Sequence, residues 1–304
     1  MQIDTTTTVD ISEKKKQNSS SFASKMNAYL THPGSGILAF ITVLASVLTF
    51  ATLAFLVGYI LVKGIPYLNK DLFALEYNSE NVSLVPSLIN TFIMTAVSLV
   101  IAAPLGIFAA IYLVEYAKKG SRFVGLIRIT AETLSGIPSI VYGLFGMLFF
   151  VTTMKWGLSL LSGAFTMVIM ILPLIMRTAE EALKSVPDSY REASFGLGAG
   201  KLRTIFTIVL PSAVPGILAG VILAIGRVVG ETAALIYTAG TVAQVPDSLM
   251  GSGRTLALHM YVLSSEGLHV DQASATAVIL LIIVVGINAL SAFVAKTLTK
   301  KAGA

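Results

Sequence analysis

Long stretches without a charged residue alternate with short charged segments along this chain of 304 residues. A helix needs about 20 mainly apolar residues to cross a bilayer. The stretches that reach this length without Asp, Glu, Lys or Arg are 26–62, 81–114, 133–154, 156–176, 204–226 and 272–295. They predict an all-α, polytopic membrane protein with six transmembrane helices, at about 37–62, 88–114, 127–153, 157–177, 212–240 and 273–295.

The composition agrees with this pattern. The chain is 55% hydrophobic and 12% charged, whereas ordinary globular domains are about 25% charged. A mean hydropathy of +0.83 excludes a disordered chain and argues against a soluble one. The sequence contains no Cys, which excludes disulfides, thiolate catalysis and cysteine metal sites.

The positions of the basic residues predict the orientation. Of 21 Lys and Arg residues, 16 fall in the N-terminal tail, the 115–128 loop, the 177–210 loop and the C-terminal tail. Four lie on the opposite side, and Arg227 lies within a predicted span. By the positive-inside rule both termini are cytoplasmic, in a cytoplasmic (inner) membrane. The net charge of +5 therefore reflects orientation and no nucleic-acid partner.

Three polar segments frame the predicted spans. Residues 1–30 are expected to form a disordered cytoplasmic tail, and 296–304 a C-terminal cytoplasmic tail. Residues 178–210 predict two short helices in the cytoplasm. The first starts at about Pro187 and ends at Gly198, and the second, Lys201 to Ile208, leads back into the membrane.

This loop resembles the hallmark of the permease subunits of binding-protein-dependent ABC importers. The hallmark is Glu-Ala-Ala, three residues, Gly, nine residues and Ile-x-Leu-Pro, and Ser194 for the second Ala is the one departure. The resemblance implies a type I permease domain of MetI-like fold over 85–295, after a first transmembrane helix at 37–62. It also implies a coupling helix that docks on a separate ATPase, whereas the alternative is an amphipathic helix lying on the lipid surface. The matching residues are Glu192, Ala193, Ser194, Gly198, Ile208, Leu210 and Pro211.

Other stretches look like the phosphate-specific permeases, namely 132–146, 172–183 and 226–235. Residues 231–240 and 255–260 are more similar to the PstA-type subunit than to its PstC-type sister. The resemblance implies a PstC-like permease, a PstB-like ATPase homodimer, a PstS-like external phosphate-binding protein and inorganic phosphate as partners. It implies a non-catalytic subunit without a cofactor, because the partner ATPase binds ATP and Mg²⁺. Gly200 and Lys201 lack the other residues of a P-loop.

Arg227 and Glu231 are the ionisable residues expected deepest in the membrane. If the fifth helix enters at about 212, they lie about 22 and 28 Å into the span, four residues apart on one face. Two interpretations remain open. In one, Arg227 faces the translocation pathway and binds phosphate while Glu231 weakens that binding. In the other, the two residues form a structural ion pair.

Three further residues are candidates for the pathway. Ser135 and Ser139 flank Pro138, so their hydroxyls either satisfy carbonyls freed by the proline or line the pathway. Arg177 either lines an inward-facing vestibule or anchors helix four at the membrane edge. Glu132 is expected to pair locally with Arg128.

The external loop contains His259 and His269, which are poor evidence for a metal site, and none is predicted. Other functions considered are the sister permease, an importer of another oxyanion such as sulfate or molybdate, and a secondary transporter or channel that works alone.

Overall fold

The computed structural model describes residues 33–118 and 120–301, so the predicted tail at 1–30 lies outside the described residues. The chain divides into two units, Met1–Tyr59 and Ile60–Ala304. The first helix, α1 (Pro33–Gly64), supplies the described part of the first unit and continues into the second. The most apolar window of α1 is entirely exposed, which suits contact with lipid.

In its described part the second unit consists of helices and irregular connections, without a β-strand. After α1, two 3₁₀ turns precede the next long helix. The α-helices are α2 (Val85–Ile111), α3 (Arg122–Ser135), α4 (Ser139–Gly146), α5 (Leu160–Lys184), α6 (Asp188–Gly196), α7 (Lys201–Thr204), α8 (Leu210–Val229), α9 (Ala233–Ile236), α10 (Leu256–Glu266) and α11 (Val270–Lys301). Turns of π-helix extend α2 over Tyr112–Tyr116, extend α4 over Met147–Thr153, and join α7 to α8 over Ile205–Val209.

The described residues contain five helices long and apolar enough to cross a membrane, and a bent pair that makes a sixth if counted as one span. The all-α architecture predicted from the sequence is therefore confirmed. The single helix predicted at 127–153 is broken, because α3 and the α4 segment meet at an angle of 100°. The break contains Gly136 and Pro138; a proline lacks an N–H and disfavours helical geometry in the residue before it.

The fifth span also differs from its prediction at both ends. It begins at Lys201 instead of 212, because the Ile205–Val209 π-turn joins α7 to α8 without a break. The predicted separate helix at 201–208 is therefore the first part of this span. The span ends at Val229 and not at 240, because the chain leaves the helix at Gly230 and the short α9 follows.

Helix α5 is the centre of the second unit, and two thirds of its most apolar window is buried. Small residues let neighbouring helices approach it closely. A Cβ on Gly106 of α2 would lie 2.9 Å from Ile175, and one on Gly216 of α8 would lie 2.6 Å from Ala182. Helices α2 and α8 are thus both packed tightly against α5.

Candidate translocation and coupling sites

The broken third span is held at its bend by a tyrosine. The Tyr142 hydroxyl in α4 donates to the carbonyl of Leu134 in α3 at 2.7 Å. The Ser135 hydroxyl donates to the Ala131 carbonyl at 2.9 Å, one turn back along α3. Leu134 is the carbonyl that Pro138, lacking an N–H, leaves without its helical donor, so Tyr142 satisfies it. The Ser135 bond is a contact within α3, and the role of Ser135 stays a prediction. Ser139 lies half-buried at the start of α4, and its place in a pathway stays a prediction.

Helix α4, which follows the break in the third span, packs against α9, which follows the fifth span. A Cβ on Gly143 of α4 would lie 2.8 Å from the Cα of Ala234 in α9. Only glycine permits this approach of α4 to α9. Interrupted helices within a membrane are tolerated where they are buried in protein or line a water-filled cavity. The two interruptions, at 136–138 and 230–232, therefore flank a single packed unit of α4 and α9.

Arg227 and Glu231 do not form the ion pair considered from the sequence. Arg227 is half-buried in the last turn of α8, whereas Glu231 lies beyond the helix end at Gly230. The two side chains therefore do not share a helix face. The Glu231 carboxylate instead accepts the N–H of Ala234 at 3.2 Å and caps α9.

Arg227 retains an uncompensated charge near the broken span. Among the described residues, no carboxylate oxygen lies within 4.0 Å of its guanidinium. Its chain neighbour Val228 belongs to the same buried apolar cluster as Tyr142 of α4. Arg227 thus belongs to the same neighbourhood as the bend, and a guanidinium without a protein counter-charge is suited to an anionic ligand.

Arg177 lies in the C-terminal half of α5 and is exposed. Its Nε donates to Glu181 at 3.2 Å, four residues along the same helix. Nearby, buried Glu180 lies 2.6 Å from both Arg128 and Lys184. The local pair expected between Arg128 and Glu132 is therefore wrong, because Arg128 reaches across from α3 to α5.

The loop at 178–210, hereafter called the coupling loop, has the predicted arrangement of two helices around a glycine. Helix α6 ends at Gly196, and Gly198 has a φ of +79°, the left-handed conformation that glycine adopts without strain. The hydroxyls of Ser194 and Thr204 lie 2.8 Å apart and are buried. The residue that departs from the family hallmark therefore hydrogen-bonds α6 to α7.

The outer surface of the coupling loop is open and partly apolar. Phe195 and Leu197 are exposed, as are Glu192 and Ala193 of the hallmark. A cavity of about 520 Å³ lies beside them, lined by Tyr190, Ser194, Gly198, Arg203 and Ile208 among others. Leu210 begins α8 and Pro211 follows it within the first turn, where a missing N–H costs little.

Sequence reasoning missed Arg191 and its partner Glu115. Arg191 of α6 bonds the Glu115 carboxylate through Nη2 at 2.8 Å and Nε at 3.0 Å. The two residues are 76 positions apart. Neither hydropathy nor helical spacing connects them, and the adjacent hallmark residue Glu192 was the only signal near this site.

His259 and Arg254 form a buried group beside the start of α2, where Asn90 Nδ2 donates to the Arg254 carbonyl at 3.2 Å. His259 in α10 is fully buried. Burial and, to a lesser degree, the nearby Arg254 charge together lower the pKa of His259 to about 3, against the opposing effect of a backbone contact with Val82. The described residues contain no group of three His, Cys, Asp or Glu side chains placed to hold a metal ion.

Comparison with known proteins places the chain among transport components. The family described as "Binding-protein-dependent transport system inner membrane component" matches residues 102–303. The probable ABC transporter permease protein YqgI of Bacillus subtilis (strain 168) is 32% identical over 243 residues, which cover 75% of this chain and 82% of that protein. Phosphate transport system permease protein PstA 1 of Mycobacterium tuberculosis (strain CDC 1551 / Oshkosh) is 36% identical over 71% of each chain. PstA of Pasteurella multocida (strain Pm70) is 40% identical over 59% of this chain and 64% of that protein.

Solved structures agree on the fold. A chain of the bacterial alginate ABC transporter, in complex with an alginate-bound periplasmic protein, superimposes with a TM-score of 0.61 and 17% identity. That match covers 85% of this chain and 95% of the other. A chain of the inward-facing MetNI methionine ABC transporter gives a TM-score of 0.54 at 21% identity, over 71% of this chain and 94% of the other. At these identities the likeness describes the helical architecture alone.

Proposed function

Because this chain belongs to the family of binding-protein-dependent transport system inner membrane components, we propose that it is the PstA-type permease subunit of an ATP-driven phosphate importer. In this proposal it forms half of the translocation pathway beside a PstC-like permease. The similarity to proteins named as phosphate permeases supports phosphate as the substrate. An external PstS-like binding protein delivers the anion to the pathway.

The observation that carries an anionic substrate is the charge of Arg227. Arg227 is half-buried and has no carboxylate within 4.0 Å of its guanidinium among the described residues, and its neighbour Val228 packs in the same buried cluster as Tyr142 beside the bend of the third span. A guanidinium is charged at every physiological pH and binds a tetrahedral oxyanion through two parallel hydrogen bonds. Ser139, at the start of α4, lies where unpaired backbone N–H groups favour an anion. Ser135 and Arg177 complete the proposed pathway, from the bend to the cytoplasmic end.

The coupling loop supplies the second half of the function. We assign the exposed side of α6, with Glu192 and Ala193, to a PstB-like ATPase homodimer. The cavity beside Leu197 would receive an apolar side chain of that partner. The partner binds ATP and Mg²⁺, and this chain is a non-catalytic subunit without a cofactor of its own. Binding of ATP moves α6, the spans rock to open the pathway outward, and hydrolysis restores the inward-facing state.

The orientation follows from the charges. The basic segments around Arg128, Lys184, Arg191 and Lys201 face the cytoplasm together with both termini, and the 237–255 segment faces outward. The protein thus resides in the cytoplasmic membrane with the coupling loop on the side where ATP is present.

An uptake assay on Arg227→Gln tests the proposed function. We expect the initial rate of phosphate import by the assembled complex to fall by about 10- to 100-fold, because a hydrogen bond to a charged group contributes about 1.5–3 kcal/mol. Arg227→Lys keeps the positive charge but cannot form two parallel hydrogen bonds, so its import rate should lie between those of the wild type and Arg227→Gln. The control is Arg122→Gln, which alters an exposed arginine at the start of α3.

Normal phosphate uptake by assembled Arg227→Gln would contradict the pathway role of Arg227. Competition distinguishes the substrate: excess sulfate or molybdate that abolishes phosphate uptake while being imported itself would indicate an importer of another oxyanion. Co-purification of the wild-type chain with an ATPase separates an importer subunit from a transporter or channel that works alone.

A further inference from the structure

Both helices of the coupling loop contact the π-turn that ends the second span. Arg191 of α6 binds Glu115 within this turn, and the ammonium group of Lys201 in α7 lies 4.8 Å from the ring centroid of Tyr116. A π-turn interrupts the regular α-helical ladder, and such turns occur frequently at functional sites. The Tyr112–Tyr116 turn is therefore where both helices of the coupling loop contact the end of α2.

Arg191 also binds the end of the fourth span. Its Nη2 donates to the Leu183 carbonyl at 3.0 Å, in the last turn of α5. Its Nη1 donates to the Val186 carbonyl at 2.8 Å and to Asp188 at 3.2 Å. The last turn of a helix leaves carbonyls without partners within the helix. One side chain of α6 thus satisfies the end of α5 and binds a carboxylate of α2 at the same time.

The burial of these groups makes the connection stiff. The Arg191 side chain is 13% exposed and that of Glu115 is 9% exposed. Hydrogen bonds between charged groups are stronger when water is largely excluded. A guanidinium with several fixed partners has little freedom to turn. Arg191, Glu115 and the Leu183 carbonyl are hereafter called the clamp.

The clamp is connected by close packing to α8, the helix that contains Arg227. Helix α5 packs closely against α2 at Gly106 and against α8 at Gly216. Helix α8 ends with Arg227 in its last turn. A displacement of α6 that reached α5 through the clamp would therefore reach α8 through close backbone packing, because tightly packed elements move together.

We infer that Arg191 is the positioning residue that transmits movement of the coupling helix to the second and fourth spans. The inference rests on the proposed function, since it assumes that the ATPase moves α6. Arg191 acts through Glu115 and the end of α5, and it contacts neither phosphate nor nucleotide. Loss of the clamp leaves the exposed side of α6 intact for docking but lets α6 move without the spans.

The test measures ATP hydrolysis and phosphate import by the same reconstituted complex. Glu115→Gln and Arg191→Gln should both assemble with the ATPase and hydrolyse ATP. The amount of phosphate imported per ATP hydrolysed should fall about tenfold, within the usual range of 5- to 150-fold for coupling between sites. Arg191→Lys keeps the positive charge but loses the planar guanidinium that binds several partners at once, and it should give an intermediate ratio of phosphate to ATP.

The matched control is Asp188→Asn. Asp188 touches the same guanidinium, but its side chain is 79% exposed and it lies on α6 itself. Its loss should leave the ratio of phosphate to ATP at the wild-type value. Equal effects of Asp188→Asn and Glu115→Gln would indicate a general loosening of the loop and would overturn the inference.

Two further outcomes would overturn the inference. One is a wild-type ratio in both Glu115→Gln and Arg191→Gln. The other is failure of both variants to assemble, which would make the pair a folding element only. A wild-type complex that hydrolyses ATP without importing phosphate would contradict the proposed function instead, so the two failures are distinguishable.

Discussion

Two buried arginines, which contact opposite ends of the second span, have very different surroundings. Arg191, in the coupling loop, binds a carboxylate of α2 and two backbone carbonyls. Arg254, before α10, is 4% exposed, and its Nε and Nη2 have no hydrogen-bond partner within the described residues. Its described contact is the ring of Tyr77, whose centroid lies 4.9 Å away. The contribution of a buried charge to stability therefore depends on its hydrogen-bond and ion-pair partners more than on burial itself.

The difference teaches where this fold uses charge for connection. Arg191 has partners from three elements, so its removal leaves several buried groups unsatisfied. The charge of Arg254 is buried beside the ring of Tyr77. An aromatic face attracts a cation but accepts no hydrogen bond from the edge of the guanidinium. Arg191 is thus expected to be hard to replace, and Arg254 easy to replace by an apolar side chain of similar length.

The largest expected effect is that of Arg191→Met. This change leaves the Glu115 carboxylate buried without its cation, and breaking a buried pair in this way costs about 3–5 kcal/mol. Partial exposure of the pair places the expected loss near the lower end, at about 3 kcal/mol. Heating of the purified complex, followed by measurement of the fraction still assembled, checks this. A variant as heat-resistant as the wild type would remove the contrast with Arg254.

A smaller effect is expected from the histidine beside Arg254. The folded pKa of His259 is about 3, below the value of about 6.5 expected for an unfolded chain. Between these values the unfolded chain binds the additional proton, so stability is complete above about pH 7 and is lost as the pH falls toward 3. Heat resistance measured between pH 5 and 7.5 should therefore decline at the acidic end.

The control for this pH dependence is a matched pair of variants. His259→Gln should remove part of the decline, because the group that takes up the proton on unfolding is gone. His269→Gln alters a half-buried histidine in the same region and should retain the wild-type decline. Identical pH profiles in all three proteins would show that carboxylates elsewhere control acid stability.

The smallest effect is expected for Arg254→Met. Replacing a buried charge by an apolar side chain of similar volume removes its desolvation penalty, and such changes are often neutral or stabilising. Loss of the Tyr77 contact offsets this by about 0.5–2 kcal/mol. We expect the net change in stability to stay within about 1 kcal/mol. A loss as large as that of Arg191→Met would mean that Arg254 has a partner equal in strength to Glu115.

The sequence predicted the spans well and their interruptions poorly. Charge-free stretches locate apolar helices because crossing lipid requires length and hydrophobicity alone. Hydropathy is insensitive to a change of direction inside such a stretch. Gly136 and Pro138 are as compatible with an apolar run as a leucine is, so the 100° bend was read as one straight helix. The same limitation extended the fifth span past Gly230.

The candidate site was predicted in part. The coupling loop follows from local signals, since a helix start at Pro187 and a left-handed Gly198 are properties of a few adjacent residues. Arg227 was singled out because a charge in an apolar span is conspicuous, and its role in the pathway stays a prediction. Its assumed partner Glu231 was wrong because helical spacing was applied beyond the helix end. The Arg191 contact requires knowledge of which distant segments meet, and this information is absent from local spacing.

The π-turn at the end of α2 has a consequence for how insertions and deletions act in this region. Each residue of an α-helix advances the chain by about 100° around the axis. The wide turn over Tyr112–Tyr116 therefore sets the direction in which Glu115 emerges toward Arg191. Deleting one residue just before it would rotate Glu115 and the rest of the turn by about 100° and shift them by about 1.5 Å relative to the preceding part of the span. An alignment gap of a single position here would thus matter more than several substitutions.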